Sequence, residues 1–396
     1  MMKANCIIGQ SGGPTSVINS SLAGVVKAAM KSEKIGEVYG MNYGIEGFMK
    51  EWLTDFGKQP AEVLKGLRKT PGSALGSSRH KLKDEDFPRI IEVLKKYDIG
   101  YFFLIGGNDT MDTINRVESY CRARGYELTG VGVPKTVDND LFGTDHTPGF
   151  PSAARSNILN VMQAGVLARD MKKVDQFVVY QTIGRDAGWL GAATALGKRN
   201  PDDAPHLIYC PEFVFDREKF LAEVDQVYKT FGWVSIVCGE GLKYADGTPV
   251  SASLTRDKFN NTEFGAMGGA SVGLNLHRMI SQEFGFRGEF QITESLIMSD
   301  FVNAVELDLD EAYHAGKEAV RLAENGESGY MVTIERVEND PYQSRFGKAF
   351  LKDVAVQAKP MPREYFNKEG NFVSPAFLDY IRPLIGKLPQ FVTLTL

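Results

Sequence analysis

The segment Pro134-Lys135-Thr136-Val137-Asp138-Asn139-Asp140 places an amine, a hydroxyl and two carboxylates close together, directly after the apolar, β-prone run Leu128–Val133. Phosphoryl transfer uses that set: a base on the accepting hydroxyl, a carboxylate for Mg²⁺ and a cation on the phosphate oxygens. In extended backbone Asp138 and Asp140 point to the same side, so both can serve one metal–phosphate site. The bland alternative is equally open on these residues alone, because Asp-Asn-Asp is ordinary turn chemistry and a lysine after proline is commonly solvated.

The surrounding elements give the segment a setting. Cys6-Ile7-Ile8 reads as a buried strand, Gly9 to Pro14 as a turn, and Thr15 to Met30 as a helix with Val17, Leu22, Val25, Val26 and Ala29 near one face. The pattern returns at Ile99 to Ile105, ended by Gly106-Gly107 and followed by a helix from Thr110 to Arg124. It returns again at Leu128 to Val133. Strands alternating with helices predict a mainly parallel sheet with helices on both faces and ligands at the carboxyl ends of the strands. Gly9-Gln10-Ser11-Gly12-Gly13-Pro14-Thr15 offers backbone N–H groups to an anion at a helix start, and Gly106-Gly107-Asn108-Asp109-Thr110 repeats the arrangement with polar groups added. One glycine turn is plain connection chemistry; two, together with the Lys135–Asp140 segment, argue for a phosphate site.

Composition bounds the partners. A chain of 396 residues predicts two domains, and a net charge of -5 gives no general attraction to nucleic acid or to an anionic membrane. The four cysteines, Cys6, Cys121, Cys210 and Cys238, have no metal-ligand spacing and fit reduced thiols. His80, His146, His206, His277 and His314 form no zinc motif. No apolar run is long enough for a membrane span and no signal peptide is legible, so the expectation is a soluble, cytoplasmic protein. The long helix opening at Ser152 and the segment from Glu311 to Leu322 read as amphipathic packing helices.

The motifs SGGPTSVIN, PGSALGSSR, GGNDTMDT, PKTVDND, TPGFPSAAR, TIGRDAGWLGAATAL, PEF and GEG, in that order from Gly9 through Gly241, resemble the phosphofructokinase family, most closely its pyrophosphate-dependent branch. The tail from Pro362 to Ile385 is similar to that branch too. The resemblance implies an α/β fold of two Rossmann-like three-layer domains with the active site in the cleft between them, in a homo-oligomer, dimer or tetramer. The expected division is 1–146, with roughly 290–335 returning to it, as the phosphoryl-donor domain, and 147–289 plus roughly 336–396 as the acceptor domain.

By the same resemblance Asp138 is the general base, Thr136 and Lys135 orient and neutralise the reacting phosphoryl group, and Asp140 with Asn108 holds Mg²⁺. Gly12 and Gly13 match the phosphate loop, and Arg79 and Thr110 are donor contacts. Asp109 and Lys135 stand where ATP-using relatives have glycines. A side chain at 109 fills space and puts negative charge where an α-phosphate would lie, whereas an ammonium at 135 suits a compact diphosphate. Pyrophosphate is therefore the expected donor.

On the acceptor side the resemblance assigns Ile183, Gly184 and Arg185 to the family's methionine-glycine-arginine motif and Glu240 to the sugar hydroxyls. Two departures bear on the acceptor. The arginine that in many relatives reaches the sugar 6-phosphate from a neighbouring subunit stands here as Gln176, and the glutamine-arginine segment for the same phosphate is not legible in Arg287–Leu296. A dianion is costly to hold with neutral groups alone. Arg287 is the expected surviving cation, with Arg278, Lys317 or Arg321 as other sources. The expected reaction is fructose 6-phosphate plus diphosphate to fructose 1,6-bisphosphate plus phosphate. Sedoheptulose 7-phosphate or an unphosphorylated polyol such as myo-inositol is the rival acceptor. A catalytically silent regulatory subunit is the rival of another class.

Overall fold

The computed structural model describes residues 3–78, 80–251 and 271–392. Its strands are β1 (Ala4–Gln10), β2 (Ile35–Met41), β3 (Leu53–Asp55), β4 (Ile99–Gly106), β5 (Thr129–Pro134), β6 (Phe177–Thr182), β7 (Leu207–Tyr209), β8 (Val234–Gly239), β9 (Gly288–Ile292), β10 (Tyr330–Asn339) and β11 (Tyr342–Phe350). They form two sheets, ordered β11-β10-β5-β4-β1-β2-β3 and β7-β8-β6-β9. The chain divides accordingly into one unit of residues 1–152 and 298–359 and another of 153–297 and 360–396.

In the first unit β2, β1, β4, β5 and β10 run parallel, and β3 and β11 close the two edges antiparallel. Period-two alternation sends successive side chains to opposite faces. Ile7, Phe102 and Leu104 face one apolar layer with Phe87, Ile90, Ile91, Met111 and Ile114. Cys6, Ile8, Phe103, Ile105, Val131 and Val133 face the other, with Leu22, Val25, Ala315 and Ala319. That second layer includes the helices Ile18–Ala29 and Glu306–Glu324, which approach closely through glycines. A Cβ at Gly24 would lie 2.0 Å from the Tyr313 carbonyl oxygen, and one at Gly316 would lie 2.2 Å from that of Ser21.

The second sheet is parallel throughout. Its core packs Phe177, Val179, Ile236 and Cys238 against Phe220, Val224, Leu276 and Ile280. The helix Phe150–Asp170 begins in the first unit and continues into the second. The crossings at 152, 297 and 359 lie later than the 146, 290 and 335 read from the sequence. The reason at both later crossings is strand pairing: β9 bonds to β6, and the β10–β11 hairpin, not anticipated, bonds to β5.

Candidate active site

The parallel register brings three loops of the first unit to one end of its sheet. Gly9 pairs with Leu104 and Gly106 with Pro134, so Ser11–Gly13, Gly107–Asp109 and Lys135 leave β1, β4 and β5 side by side. Backbone bonds fasten them: Ser11 N–H donates to the Ile105 carbonyl at 3.0 Å and Lys135 N–H to that of Gly106 at 3.0 Å. Lys135 is 4% exposed, and its ammonium donates to the Gly13 carbonyl at 2.8 Å. Gly12 has φ +76°, and a Cβ there would come within 3.1 Å of the same Nζ. The positive φ is what favours glycine at position 12. At Gly13 a Cβ would lie 2.2 Å from Met298 Cε, so the end of that side chain would have to shift.

Asn108 and Asp109 open the helix Asn108–Arg122, with Asp109 exposed in its first turn. The Asn108 side-chain oxygen is buried and has no hydrogen-bond partner among the described residues. An orphaned amide oxygen is a fitting ligand for a hard cation, which takes carbonyl and carboxylate oxygens and retains water. Among the described residues no group of three or more His, Cys, Asp or Glu side chains could hold a metal ion. Thr110 turns inward instead, 4% exposed, against a strand end where a Cβ at Gly106 would lie 2.1 Å from its Oγ1. Arg79 lies outside the described residues.

Thr136, Asp138 and Asp140 are partly exposed, and the backbone that carries them is bent, not extended. Thr136 Oγ1 accepts from Asp138 N–H at 3.1 Å, and Asn139 is left-handed at φ 55°. Simple alternation therefore does not place Asp138 and Asp140; a turn does. Asn139 is fully buried and its Oδ1 accepts from Thr147 N–H at 3.1 Å. Beneath the turn lies a polar network: His146 donates to Asp145 at 2.9 Å and to Glu311 at 2.6 Å, and Arg336 bonds Asp145 at 3.0 Å. Burial alone would discharge the imidazole, but the charge of Glu311 and the bond to Asp145 hold it up at about 9. Burial likewise opposes ionisation of Asp145, yet His146 and Arg336 bring its carboxyl down to about 2.

In the second unit Thr182 pairs with Gly239, which sets Ile183, Gly184 and Arg185 beside Glu240 at the carboxyl ends of β6 and β8. Two carboxyls pin this loop. Glu240 Oε1 accepts from Gly184 N–H at 3.2 Å, and Glu212 Oε1 accepts from Gly188 N–H at 2.8 Å. Gly184 has φ +114°, and a Cβ at Gly241 would lie 1.7 Å from the Arg185 carbonyl oxygen. The Arg185 side chain is exposed between the two pins, beside a partly buried Ile183. Burial is the main cause that raises the Glu240 carboxyl; Gly184 N–H and Arg185 counter it, while Glu294 and Asp186 add to the rise.

Arg287 stands at the end of its strand opposite the Arg185 loop. It precedes β9 as Gln176 precedes β6, and Phe177 pairs with Gly288, so both sit at the amino ends, away from Gly184 and Glu240. Gln176 Oε1 accepts from Arg287 N–H at 3.1 Å, and the Arg287 guanidinium pairs with Asp175 at 2.9 Å. At about 3.3 Å per strand residue, the length of β6 separates them from the Arg185 loop. Arg321 is bonded by Glu318 at 2.6 Å and Lys317 lies over the Tyr313 ring. The open concavity of about 320 Å³ lined by Asn42, Tyr43, Trp52 and Leu75–Gly76 holds none of the residues with phosphoryl-transfer chemistry. Sequence reading passed over Asn139, Glu212 and Gly241 as positioning elements. The motifs containing them were visible, but the contacts that give them work are between segments distant in the chain.

Two mainly parallel α/β sheets with glycine loops and a Lys-Thr-Asp turn at strand carboxyl ends define a phosphoryl-transfer scaffold. A model of the phosphofructokinase family matches residues 5–294, and the chain belongs to that family. It is 37% identical over 392 residues to the pyrophosphate–fructose 6-phosphate 1-phosphotransferase of Halomonas elongata, covering 97% of this chain and 92% of that one. The enzyme of the same name from Xanthomonas campestris is 38% identical over 397 residues, covering 98% and 93%. The crystal structure of the pyrophosphate-dependent phosphofructokinase of Marinobacter aquaeolei superposes with a TM-score of 0.87 at 35% identity, over 99% of this chain and 94% of that one.

Proposed function

We propose that this chain is a pyrophosphate-dependent phosphotransferase that converts fructose 6-phosphate and diphosphate to fructose 1,6-bisphosphate and phosphate. The observation that carries the donor assignment is Lys135, buried with its ammonium against the Gly12-Gly13 loop, opposite a strand end that opens into Asp109. A fixed point charge there suits a short diphosphate, and Asp109 disfavours the longer nucleotide chain. The likeness to the Halomonas and Xanthomonas enzymes supports both donor and acceptor.

In this reading Asp138 takes the proton of the acceptor hydroxyl as its oxygen bonds to the terminal phosphorus of diphosphate. The bond from that phosphorus to the bridging oxygen breaks, and phosphate leaves. Lys135 and the Gly12-Gly13 amides hold the donor oxygens, Thr136 orients the transferring group, and Arg185 meets its growing charge from the acceptor side. A magnesium ion supplies positive charge to the phosphate oxygens when bound, and Asn108 and Asp140 are the residues that would hold it. The resemblance further implies a cytoplasmic homo-oligomer, dimer or tetramer, whose size light scattering measures. Among the described residues no helix is long and apolar enough to cross a membrane.

A second reading of the acceptor rests on one observation. The carboxyl end of β9 carries Thr293 and Glu294, with Glu294 close enough to act on Glu240, whereas Arg287 is at the opposite end. Carboxylates accept from hydroxyls and repel a phosphate, which favours an unphosphorylated polyol such as myo-inositol. The deciding experiment measures phosphoryl transfer from diphosphate and from ATP, with Mg²⁺, to fructose 6-phosphate, sedoheptulose 7-phosphate and myo-inositol. The highest kcat/KM with diphosphate and fructose 6-phosphate supports the first reading. A winning polyol replaces the acceptor, and a preference for ATP overturns the donor assignment.

A further inference from the structure

Under the Asp138-Asn139-Asp140 turn lies a lysine to which the reaction scheme assigns no step. Lys359 is partly buried and its ammonium end is enclosed. It donates to the Asp145 carbonyl at 2.7 Å, the Thr144 carbonyl at 3.0 Å and Asn139 Oδ1 at 3.4 Å. An ammonium has three protons, and each finds an acceptor on the one loop. The Lys359 backbone N–H also donates to the Asp140 carbonyl at 2.7 Å, and Ala358 bridges Leu141 in antiparallel fashion. The segment thus touches the turn at Asn139, at Asp140 and just beyond.

The turn needs such a hold. Asn139 is left-handed, a conformation outside the main allowed regions for a residue with a side chain and one that depends on its surroundings to persist. Removing the ammonium would take one donor from Asn139 Oδ1, which also accepts from Thr147 N–H, and would cut the link from the carbonyls of Thr144 and Asp145 to Asn139. Thr147 Oγ1 extends the same brace to the Thr136 carbonyl at 2.8 Å.

We propose that Lys359 is a positioning residue for phosphoryl transfer, which holds the left-handed Asn139 turn so that Asp138 and Asp140 are presented together. The inference rests on the proposed transfer chemistry for its kinetic consequence and on geometry alone for its structural one. The test compares Lys359→Met, of similar length without charge or donors, with the unaltered full-length chain. Misplacement by an ångström costs about 100-fold in rate, so kcat should fall by about that factor while KM for diphosphate changes less than about threefold. A kcat within about threefold of the parent overturns the proposal, as does a loss that only tracks the unfolded fraction seen by circular dichroism. If Lys359→Met does not fold, Lys359→Leu, which likewise lacks charge and donors, is measured instead by the same criteria.

If the parent chain transfers phosphate to none of the three acceptors, the functional reading fails by itself. The crystal structure of the variant then decides the positioning role. Asn139 leaving the left-handed region, with the Asp138 carboxylate displaced by about 1 Å or more, supports it; a superimposable turn overturns it.

Discussion

At the residue scale the chemistry turns on Asp138, Lys135 and Asp109, each with a different physical duty. Asp138 hangs from a bend that its own N–H closes on Thr136 Oγ1, so a change at its carboxyl leaves the backbone bond intact. Asp138→Ala is therefore expected to lower kcat by about 10²–10⁴-fold, the usual worth of a general base, with diphosphate affinity by calorimetry preserved within a few-fold. Activity within tenfold of the parent would sink the assignment. Lys135 has a double duty, because its ammonium both faces the donor loop and ties down the Gly13 carbonyl. Replacing Asp109 and Lys135 together with Gly should raise KM for diphosphate more than tenfold by loss of charge and loop support, and admit weak use of ATP. Unchanged diphosphate kinetics with no ATP turnover would refute the donor argument.

At the element scale the turn stands on the ion network of His146, Asp145, Glu311 and Arg336. Glu311 Oε1 further accepts from Tyr342 at 2.8 Å and Ser344 at 2.7 Å, two residues apart on one face of β11. The folded His146 titrates at about 9 against 6.5 unfolded, so its contribution is complete below 6.5 and disappears as pH rises through 9. Asp145 works in the other direction: lowered from 3.8 to about 2, it contributes above 3.8 and is lost as pH falls through 2. Asp308, fully buried and bonded to Ser152 at 2.6 Å, is raised from 3.8 to about 6, chiefly by burial, and its contribution is spent by the time pH reaches 6. Urea unfolding from pH 6.5 to 8, below the range where the partly buried Lys198 and Lys359 act in the opposite direction, should therefore show a falling midpoint. His146→Gln should flatten that slope and cost about 3–5 kcal/mol, since it leaves the buried Glu311 carboxylate without its cation while Asp145 keeps Arg336. A variant with the parent's slope would assign the dependence to other groups.

At the scale of the whole chain, neither unit is continuous. The first unit is completed by residues 298–359, which bring the helix Glu306–Glu324 onto Ile18–Ala29 and β10 onto β5. Val332, Ala315, Ala319 and Val320 are part of the same apolar layer as Ile8 and Phe103. A chain ended at residue 297 should consequently show no cooperative thermal transition by circular dichroism, because one face of its larger sheet lacks cover. A sharp transition at the parent's melting temperature would mean that the first unit folds without its returning segment.

Periodicity and local chemistry were enough to read the alternation of strands and helices around Cys6–Ile8, Ile99–Ile105 and Leu128–Val133, and with it the parallel sheet and the glycine turns at its carboxyl edge. These features depend on short stretches of chain, and short-range rules govern them. Tertiary structure alone decided what long-range pairing controls. It sent the β10–β11 hairpin to β5 and β9 to β6, turned Thr110 inward, and carried Arg287 to the amino end of its strand. It bent the Asp138–Asp140 segment through a left-handed Asn139, and brought up Lys359 from 220 positions away to hold it. A carboxylate's identity is written locally, but its direction is set by whichever distant donors the folded backbone leaves within hydrogen-bond reach.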